Sequence, residues 1–259
     1  YHLIAEALRR GHNNRSHEIG DPNFYNVPID SLLSKERIKT LQSSINFKKA
    51  TPSSKVKPFS VTSESRDTTH YSIIDSEGNA VSNTYTLGYS FGSGVTIPGT
   101  DILLNNQMNN FAYRYGDDSV EGRAASKGNR FIPGKRPMST MAPSLVFNSE
   151  GSLTLITGST GGSFIQAAIL RVISGVIDFD LNIGEATMLS RIHKDWPYSG
   201  LDYETTLSSD IVKRLDTIGH KPEKQKTLGS TQSIHIINGV NYGYADLRRP
   251  GASVSTQSD

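Results

Sequence analysis

The sequence predicts an α+β protein, because three hairpin patterns are separated by segments with helical periodicity. Each hairpin pattern has two short runs of strand-forming residues joined by a turn rich in Asn, Gly and Ser. Between the second and third hairpins, apolar residues at helical spacing form a continuous stripe, which indicates a helix packed against a sheet. Hairpins with helices between them favour segregated layers over a βαβ wheel.

The first 67 residues read as helices followed by a linker. Residues 1–15 have apolar positions at helical spacing with no N-cap residue ahead of them, so we expect further sequence upstream. A short helix is predicted around residues 29–41, with Ser31 near its cap. Lys, Pro and Ser dominate residues 46–67, and this composition is typical of a surface linker as far as Ser65.

Strands and helices then alternate to the end of the chain. The predicted hairpins pair residues 69–74 with 80–87, 144–147 with 153–157, and 231–237 with 240–245. The predicted helices cover residues 165–177, 183–192 and 208–218, and Gly219 ends the last of them. Residues 112–135 are polar and lack periodicity, so they form either a lid over the functional site or a surface loop.

Composition excludes several classes of function. The chain has 259 residues, and 27 basic against 25 acidic residues give a formal charge of +2. This balance gives no electrostatic reason to propose a nucleic acid or an anionic membrane as partner. The absence of cysteine removes disulfides, thiolate catalysis and cysteine-bound metals. No apolar run approaches the roughly 18 residues that a membrane helix needs.

No metal, phosphate or serine-hydrolase motif is present. The seven histidines show no i, i+4 pairing with each other and no accompanying carboxylate motif, so no metal and no cofactor is predicted. The glycine-rich segment 158–162 lacks the Gly-Lys-Ser/Thr of a phosphate loop and the Gly-x-Ser-x-Gly of a nucleophile elbow. Its position before a buried helix suits either an oxyanion hole or a tight strand-to-helix turn.

Thr68 is the candidate nucleophile. It follows Asp67 at the point where the linker meets the first predicted strand. A Thr hydroxyl is a poor nucleophile alone, and an adjacent N-terminal amine is one of the few groups that activate it. Cleavage of the Asp67–Thr68 bond would supply that amine. The predicted hairpin brings Thr69 and Thr86 near each other, although they are distant in sequence.

Taken together, the motifs resemble the γ-glutamyltranspeptidase family over nearly the whole chain. The matching stretches are residues 15–22, 68–72, 78–81, 84–87, 91–94, 102–108, 135–139, 161–162 and 229–233. The resemblance implies an N-terminal-nucleophile hydrolase fold, a four-layer αββα sandwich truncated at its N-terminus. It also implies a precursor that cleaves itself before Thr68. Residues 1–67 would be the C-terminal tail of the large subunit and linker, and residues 68–259 would be the small, catalytic subunit.

The resemblance also assigns catalytic roles. Thr68 matches the nucleophile, with its own α-amine as base, and Thr86 matches the threonine whose hydroxyl bonds to that nucleophile. Gly161 and Gly162 match the backbone donors of the oxyanion hole. The implied reaction is acyl transfer from a γ-glutamyl amide, through an acyl-enzyme on Thr68, to water or to an amino acid.

Substrate contacts are implied at five further positions. Ser139 and Thr140 match a hydroxyl pair that binds the substrate α-carboxylate, and Gln107, in the matching stretch 102–108, is a further implied substrate contact. The family usually has Asn where this chain has Gly88 and a second Asp where it has Asn110. Both usual residues contact the α-amino end of the glutamyl group. An amide in place of a carboxylate loses a charge-assisted bond, worth roughly 1.5–3 kcal/mol.

Three functions follow from the resemblance. The first is hydrolysis or transfer of γ-glutamyl amides such as glutathione. The second is a cephalosporin-type, glutaryl-accepting acylase of the same family, which the changed residues 88 and 110 would suit. The third is a truncated, non-catalytic fragment. The missing large-subunit portion is the implied protein partner, and the periplasm or secretion is the expected location.

Overall fold

The computed structural model describes residues 1–56, 67–112, 127–196 and 198–257, with only the backbone of residue 67. In chain order its helices are α1 (His2–Glu18), α2 (Ile29–Leu32), α3 (Lys35–Ser43), α4 (Ile165–Ile177), α5 (Ile183–Met188) and α6 (Ser209–Thr217). Its strands are β1 (Asp67–Ile74), β2 (Ala80–Gly88), β3 (Ser144–Phe147), β4 (Leu153–Thr157), β5 (Ser159–Thr160), β6 (Ile192–His193), β7 (Gly200–Glu204), β8 (Lys221–Gln225), β9 (Ser230–Ile237) and β10 (Val240–Ala245).

The chain divides into two compact units, each built from separate segments. Unit 1 comprises residues 1–64, 107–139 and 192–225, and unit 2 comprises residues 65–106, 140–191 and 226–259. The predicted small subunit, residues 68–259, therefore contributes to both units. The predicted subunit boundary is a peptide bond that is cleaved. The division of the chain into compact units does not test where the chain is cleaved, so this boundary stays a prediction.

Unit 2 is layered. The antiparallel β1–β2 hairpin packs against a mixed-length antiparallel sheet ordered β10-β9-β4-β3, in which β5 also pairs with β9. Helices α4 and α5 pack against that sheet. Side chains of β1 and β2 bond to its backbone: Ser72 Oγ donates to the carbonyl of Gln232, and Ser82 Oγ donates to that of Thr157, each at 2.9 Å. These layers confirm the α+β class.

The core of unit 2 forms where the stripe of α4 meets the sheet. Val172 of α4, Leu155 of β4 and Ile183 of α5 are buried together. Burial of one face explains why the apolar period of α4 is readable in the sequence. Helix α5 begins at a capping box, in which Asn182 accepts from the Glu185 backbone N–H and the Glu185 carboxylate accepts from that of Asn182.

Unit 1 contains a sheet that the sequence patterns missed. Strand β7 pairs antiparallel with β6 and parallel with β8, and helix α6 connects β7 to β8. This is a small βαβ unit, which the sequence patterns did not predict. Strand β8 has the sequence Lys-Pro-Glu-Lys-Gln. It contains a proline and lacks apolar alternation, so its composition does not predict a strand.

Several predicted boundaries need correction. The helix predicted at 183–192 ends at Met188, because Ile192 and His193 form β6. The single helix predicted at 29–41 is two helices, and Ser34, not Ser31, caps the second by accepting from the Arg37 backbone N–H at 3.2 Å. The three hairpins and α4 are confirmed with ends within two residues of those predicted.

Other features concern the linker, the proposed lid and membranes. Residues 57–66 of the linker and residues 113–126 of the proposed lid lie outside the described residues. The described ends of the lid segment meet, since the Ala112 N–H donates to the Asn129 carbonyl at 3.0 Å. In the described parts of the chain, no helix has the length and apolar character that a membrane crossing requires.

Candidate active site

Thr68 lies at an irregularity in the β1–β2 hairpin. The register pairs Asp67 with Gly88 and Thr69 with Tyr85, so two residues of β2 stand opposite the single residue Thr68. This arrangement is a β-bulge, a feature that bends a strand and re-aims a side chain, often beside active sites. One of the two opposing residues is Thr86, the predicted partner of the nucleophile.

Thr68, Thr86 and Gly161 line one cavity of about 530 Å³ in unit 2. Thr86 Oγ1 accepts the Gly88 backbone N–H at 2.9 Å, which fixes its position at the end of β2. The remaining lining residues of this cavity are Thr69, Tyr85, Leu87, Tyr89, Ser90, Thr160, Phe164, Thr227, Gly229, Ser230, Arg248 and Arg249. The structure thus brings three of the predicted catalytic residues to one cavity.

The glycine pair sits where β5 turns into α4. Gly161 has φ 117° and Gly162 has φ 58°, conformations that L side chains adopt rarely. A Cβ on Gly161 would lie 2.8 Å from the Gly229 Cα, so the backbones at 161 and 229 approach as closely as glycine permits. Within the described residues, no hydrogen bond uses the N–H of either glycine. Two N–H groups ahead of a helix are therefore available to an oxyanion.

The segment before the glycine pair is supported by a buried histidine. His70 packs against Gly158, where a Cβ would lie 2.1 Å from its ring Cε1. Its Nδ1 is 2.8 Å from Thr84 Oγ1 and its Nε2 is 3.2 Å from Ser72 Oγ. Burial lowers the pKa of His70 to about 4, so the ring is neutral at neutral pH. It joins β1 to the glycine segment through packing.

Gly88 and Thr140 are the predicted substrate contacts that lie in unit 2. Gly88 has φ 95°, and a Cβ there would lie 1.8 Å from Asn106 Oδ1, so the Asn106 side chain fills the space of the missing one. Asn106 Oδ1 also accepts the Tyr89 N–H at 3.0 Å. Thr140 is buried, and its carbonyl accepts from Gln166 Nε2 of α4 at 2.8 Å. Neither Gly88 nor Thr140 lines the 530 Å³ cavity.

The other predicted substrate contacts belong to unit 1. Gln107 and Asn110 bound one 3₁₀ turn, in which Asn110 Nδ2 donates to Gln107 Oε1 at 2.7 Å. Asn129 Nδ2 donates to the Asn110 carbonyl at 2.7 Å and fixes that turn. Ser139, the last residue of the unit 1 segment 107–139, is exposed. The roles assigned to these three residues and to those of unit 2 stay predictions.

Asp21 and Arg136 hold the segment that leads to Ser139. Arg136 donates to the Asp21 carboxylate from its backbone N–H, its Nε and its Nη2, the last at 2.7 Å. These bonds hold the pKa of Asp21 well below its ordinary value. Both residues lie in stretches on which the sequence resemblance was based, and their contact gives those stretches a structural role.

One histidine cluster in unit 1 has the composition of a metal site. Ligand atoms of His2, Glu6 and His220 lie within 4.8 Å of one another, and Glu6 is four residues from His2 on the same helix. Glu6, however, already accepts from Arg10 Nη1 at 2.7 Å and from the Thr51 N–H at 3.1 Å. A carboxylate neutralised by arginine is a poor ligand, and the absence of a metal stays a prediction.

Sequence reasoning missed a buried ion network behind the cavity. Arg191 and Asp246 are fully buried and 2.7 Å apart. Arg191 Nη1 donates to the Gly229 carbonyl at 3.0 Å, and Asp246 accepts the Thr231 N–H at 3.0 Å. The network holds Gly229, against which Gly161 packs. The sequence places Asp246 directly after the strand pattern of β10, but no local pattern pairs it with Arg191.

Comparisons with known proteins agree on one family. The family model described as gamma-glutamyltranspeptidase matches residues 1–256. The glutathione hydrolase proenzyme of Escherichia coli is 40% identical over 248 residues, which cover 95% of this chain and 43% of that protein. The chain therefore spans less than half the length of this relative.

Two solved structures extend the comparison. A T380A mutant of Helicobacter pylori gamma-glutamyltranspeptidase is 36% identical with a TM-score of 0.65, and the match covers 70% of this chain and 100% of that one. Cephalosporin acylase from Bacillus halodurans is 25% identical with a TM-score of 0.82, and the match covers 100% of this chain and 45% of that one.

Proposed function

We propose, from the premise that this chain belongs to the gamma-glutamyltranspeptidase family, that it is the catalytic part of a self-cleaving γ-glutamyl amide hydrolase or transferase. The observation that carries the proposal is the meeting of Thr68, Thr86 and Gly161 at one cavity beside the β-bulge of the β1–β2 hairpin. Hydrolysis of the Asp67–Thr68 bond frees the α-amine that the nucleophile requires.

The proposed reaction has two acyl-transfer steps. Thr68 Oγ attacks the γ-carbonyl carbon while its proton passes to the Thr68 α-amine, and the oxyanion is held by the N–H groups of Gly161 and Gly162. The C–N bond then breaks and the proton moves from the α-amine to the leaving amine. Water or the amine of an amino acid attacks the resulting ester, and its proton returns to Thr68 Oγ through the α-amine.

Glutathione or a similar γ-glutamyl amide is the proposed substrate. Ser139 and Thr140 would bind its α-carboxylate, and Gln107 and Asn110 would face its α-amino end. Support comes from the E. coli relative, whose name is glutathione hydrolase proenzyme. The missing upstream portion of the family's large subunit is the proposed protein partner. The periplasm or the extracellular space is the proposed location, which cell fractionation would test.

A glutaryl-accepting acylase is the second candidate. Position 88 carries no side chain, the space is filled by Asn106, and Asn110 is a neutral amide bonded to Gln107. These residues provide no carboxylate for a substrate ammonium group, and cephalosporin acylase from Bacillus halodurans is a structural relative. The rates of aniline release from a γ-glutamyl anilide and from a glutaryl anilide separate the two candidates. The γ-glutamyl enzyme should release aniline faster from the first compound, and the acylase should release it faster from the second.

Mass spectrometry and kinetics of the full-length gene product test the nucleophile. We expect cleavage before Thr68 and release of aniline from a γ-glutamyl anilide. Thr68→Ala should abolish cleavage and lower turnover by about a thousandfold or more, because the nucleophile is removed. Thr69→Ala is the matched control and should still be cleaved. An intact wild-type chain with no turnover would support the non-catalytic reading and contradict the proposal.

A further inference from the structure

Helix α1 lies at the interface between the two products of the proposed cleavage. The helix belongs to residues 1–67, and within unit 1 it packs against strand β6, which belongs to residues 68–259. Ala5 of α1 is buried together with Ile192 and Leu201. After cleavage, noncovalent contacts of this kind hold the two products together.

All three histidines of residues 1–67 lie on α1, and each contacts an aromatic ring of the segment 192–225. The ring pairs, with centroids 5.0 to 5.1 Å apart, are His2–His220, His12–His193 and His17–Trp196. The interface is therefore lined by rings whose charge can change within a few pH units of neutrality.

The contact between His2 and His220 is a hydrogen bond that favours neutral rings. His2 Nε2 is 2.8 Å from the Asn46 carbonyl oxygen, so this nitrogen carries the proton of the neutral ring and donates. His2 Nδ1 is then the acceptor, and His220 Nε2 donates to it at 2.8 Å. Protonation of His2 would set two N–H groups against each other. Protonation of His220 would place an N–H on its Nδ1, which is buried without a hydrogen-bond partner in the described residues.

Both rings of the His12–His193 pair are buried. His12 Nε2 has no hydrogen-bond partner among the described residues, and its Nδ1 lies 3.7 Å from Asp195 Oδ1. Burial lowers the pKa of both rings to about 3, although the Asp195 carboxylate opposes this shift at His193. Two cations face the pair and act in the same direction as burial, Arg15 on His12 and Lys194 on His193.

His220 is surrounded by charges of both signs. Burial is the main cause that lowers its pKa to about 4. His2, Lys194 and Arg9 act in the same direction, and the Glu6 carboxylate opposes the shift. This ring, like those of the other buried pair, is therefore neutral at neutral pH.

We propose that α1 and the segment 192–225 form a subunit interface that holds at neutral pH and opens in acid, because its histidines fit it only in their neutral form. The inference rests on the proposed self-cleavage and adds a control over the assembly of the cleaved enzyme. In separated subunits the rings are exposed to water and bind protons near pH 6.5. Between pH 6.5 and 4 the separated subunits therefore hold more protons than the assembled ones. Association is thus full above pH 6.5 and weakens as the pH falls below it.

Sedimentation of the cleaved, full-length protein at pH 7.5, 6.5, 5.5 and 4.5 measures the dissociation constant of its subunits. Exposure of three neutral, buried histidines should raise this constant by up to about a thousandfold per pH unit between pH 6.5 and 4, or about tenfold for each histidine. The single variants His12→Phe and His220→Gln keep a ring or a donor without titrating, and each should remove about one tenfold factor. His235→Gln removes a histidine of β9 in unit 2 and should leave the rise unchanged.

A second measurement distinguishes subunit separation from acid unfolding. The uncleaved Thr68→Ala chain should keep its circular dichroism spectrum at each pH. Loss of that spectrum at the pH where the subunits separate would reject the interface. A dissociation constant that stays constant between pH 7.5 and 4.5 would reject it as well, and so would an undiminished rise in both single variants.

An intact wild-type chain would overturn the proposed self-cleavage. A recognition site for a sequence-specific protease in place of residues 58–64 would then supply the cut. The same sedimentation series would still decide whether the interface opens in acid, so failure of the interface and failure of the proposed function give different results.

Discussion

At the scale of single residues, the Asn106 side chain compensates for the absence of a side chain at position 88. Gly88 leaves a space beside the end of β2, and Asn106 occupies it with Oδ1 on the Tyr89 N–H. The family resemblance showed that a side chain was missing, but the residue that fills its place is 18 positions away. Local sequence offers no signal for such a pairing, because it depends on how residues 89–105 bring Asn106 back beside Gly88.

Gly88→Ala is expected to destabilise the protein more than Gly78→Ala does. Both glycines have positive φ, 95° and 85°, so each substitution carries a backbone strain of about 1 kcal/mol. A Cβ at 78 meets nothing within 4 Å, whereas one at 88 displaces Asn106 and its bond to Tyr89, worth about 1 kcal/mol more. Urea unfolding measures both free energies.

A double-mutant cycle locates the origin of that extra loss. In an Asn106→Ala background, Gly88→Ala should lose only the strain shared with Gly78→Ala. If the extra loss persists without the Asn106 side chain, contact with Asn106 is not its cause.

At the scale of elements, two loops of unit 2 are joined by buried charge. Arg191 follows α5 and Asp246 follows β10, and their ion pair also holds the Gly229 carbonyl and the backbone of Arg248. Burial of both charges is costly unless each stays paired and hydrogen-bonded. The pair thus ties the segment beside Gly161 to the turn that carries the cavity's arginines.

Asp246→Asn should lower the free energy of unfolding by about 3–5 kcal/mol, because it leaves the buried Arg191 without a counter-charge. Urea denaturation is the measurement, and turnover should fall as well, since Gly229 supports Gly161. Glu150→Gln, an exposed carboxylate of the β3–β4 turn, is the matched control and should change stability by less than about 0.5 kcal/mol. Equal effects of the two variants would contradict the role of the pair.

At the scale of the whole molecule, buried neutral histidines make stability depend on pH. Burial lowers the pKa of His70 and His220 to about 4 and that of His12 and His193 to about 3. The unfolded chain binds protons at each of them near pH 6.5. Between pH 6.5 and 4 the unfolded state therefore holds more protons, and stability rises with pH in that window.

The free energy of unfolding should consequently fall as the pH is lowered from 6.5 to 4. Each fully neutral histidine contributes a slope of up to about 1.4 kcal/mol per pH unit. Urea denaturation at pH 7, 6, 5 and 4 measures the change, and His70→Gln should make it less steep. A free energy of unfolding that stays constant between pH 6.5 and 4 would contradict the neutral, buried state of these rings.

The sequence alone determined the elements whose signals are local. The hairpins with Asn-Gly or Glu-Gly-Asn turns and the apolar stripe of α4 are readable because neighbouring residues specify them. The change from linker to strand likewise pointed to Thr68. Strand β8 and the split between α2 and α3 were missed, because their residues carry no strand period and no clear break.

Only the tertiary structure decided which distant residues meet. The bulge opposite Thr68, the closeness of Gly161 to Gly229 and the bond from Arg249 to the Thr68 carbonyl join positions up to 181 residues apart. Such contacts arise from strand register and from the packing of layers, which periodicity does not encode. The prediction of Thr68 as nucleophile was therefore a matter of sequence, whereas the cavity around Thr68 and the arginine beside it were decided by the fold.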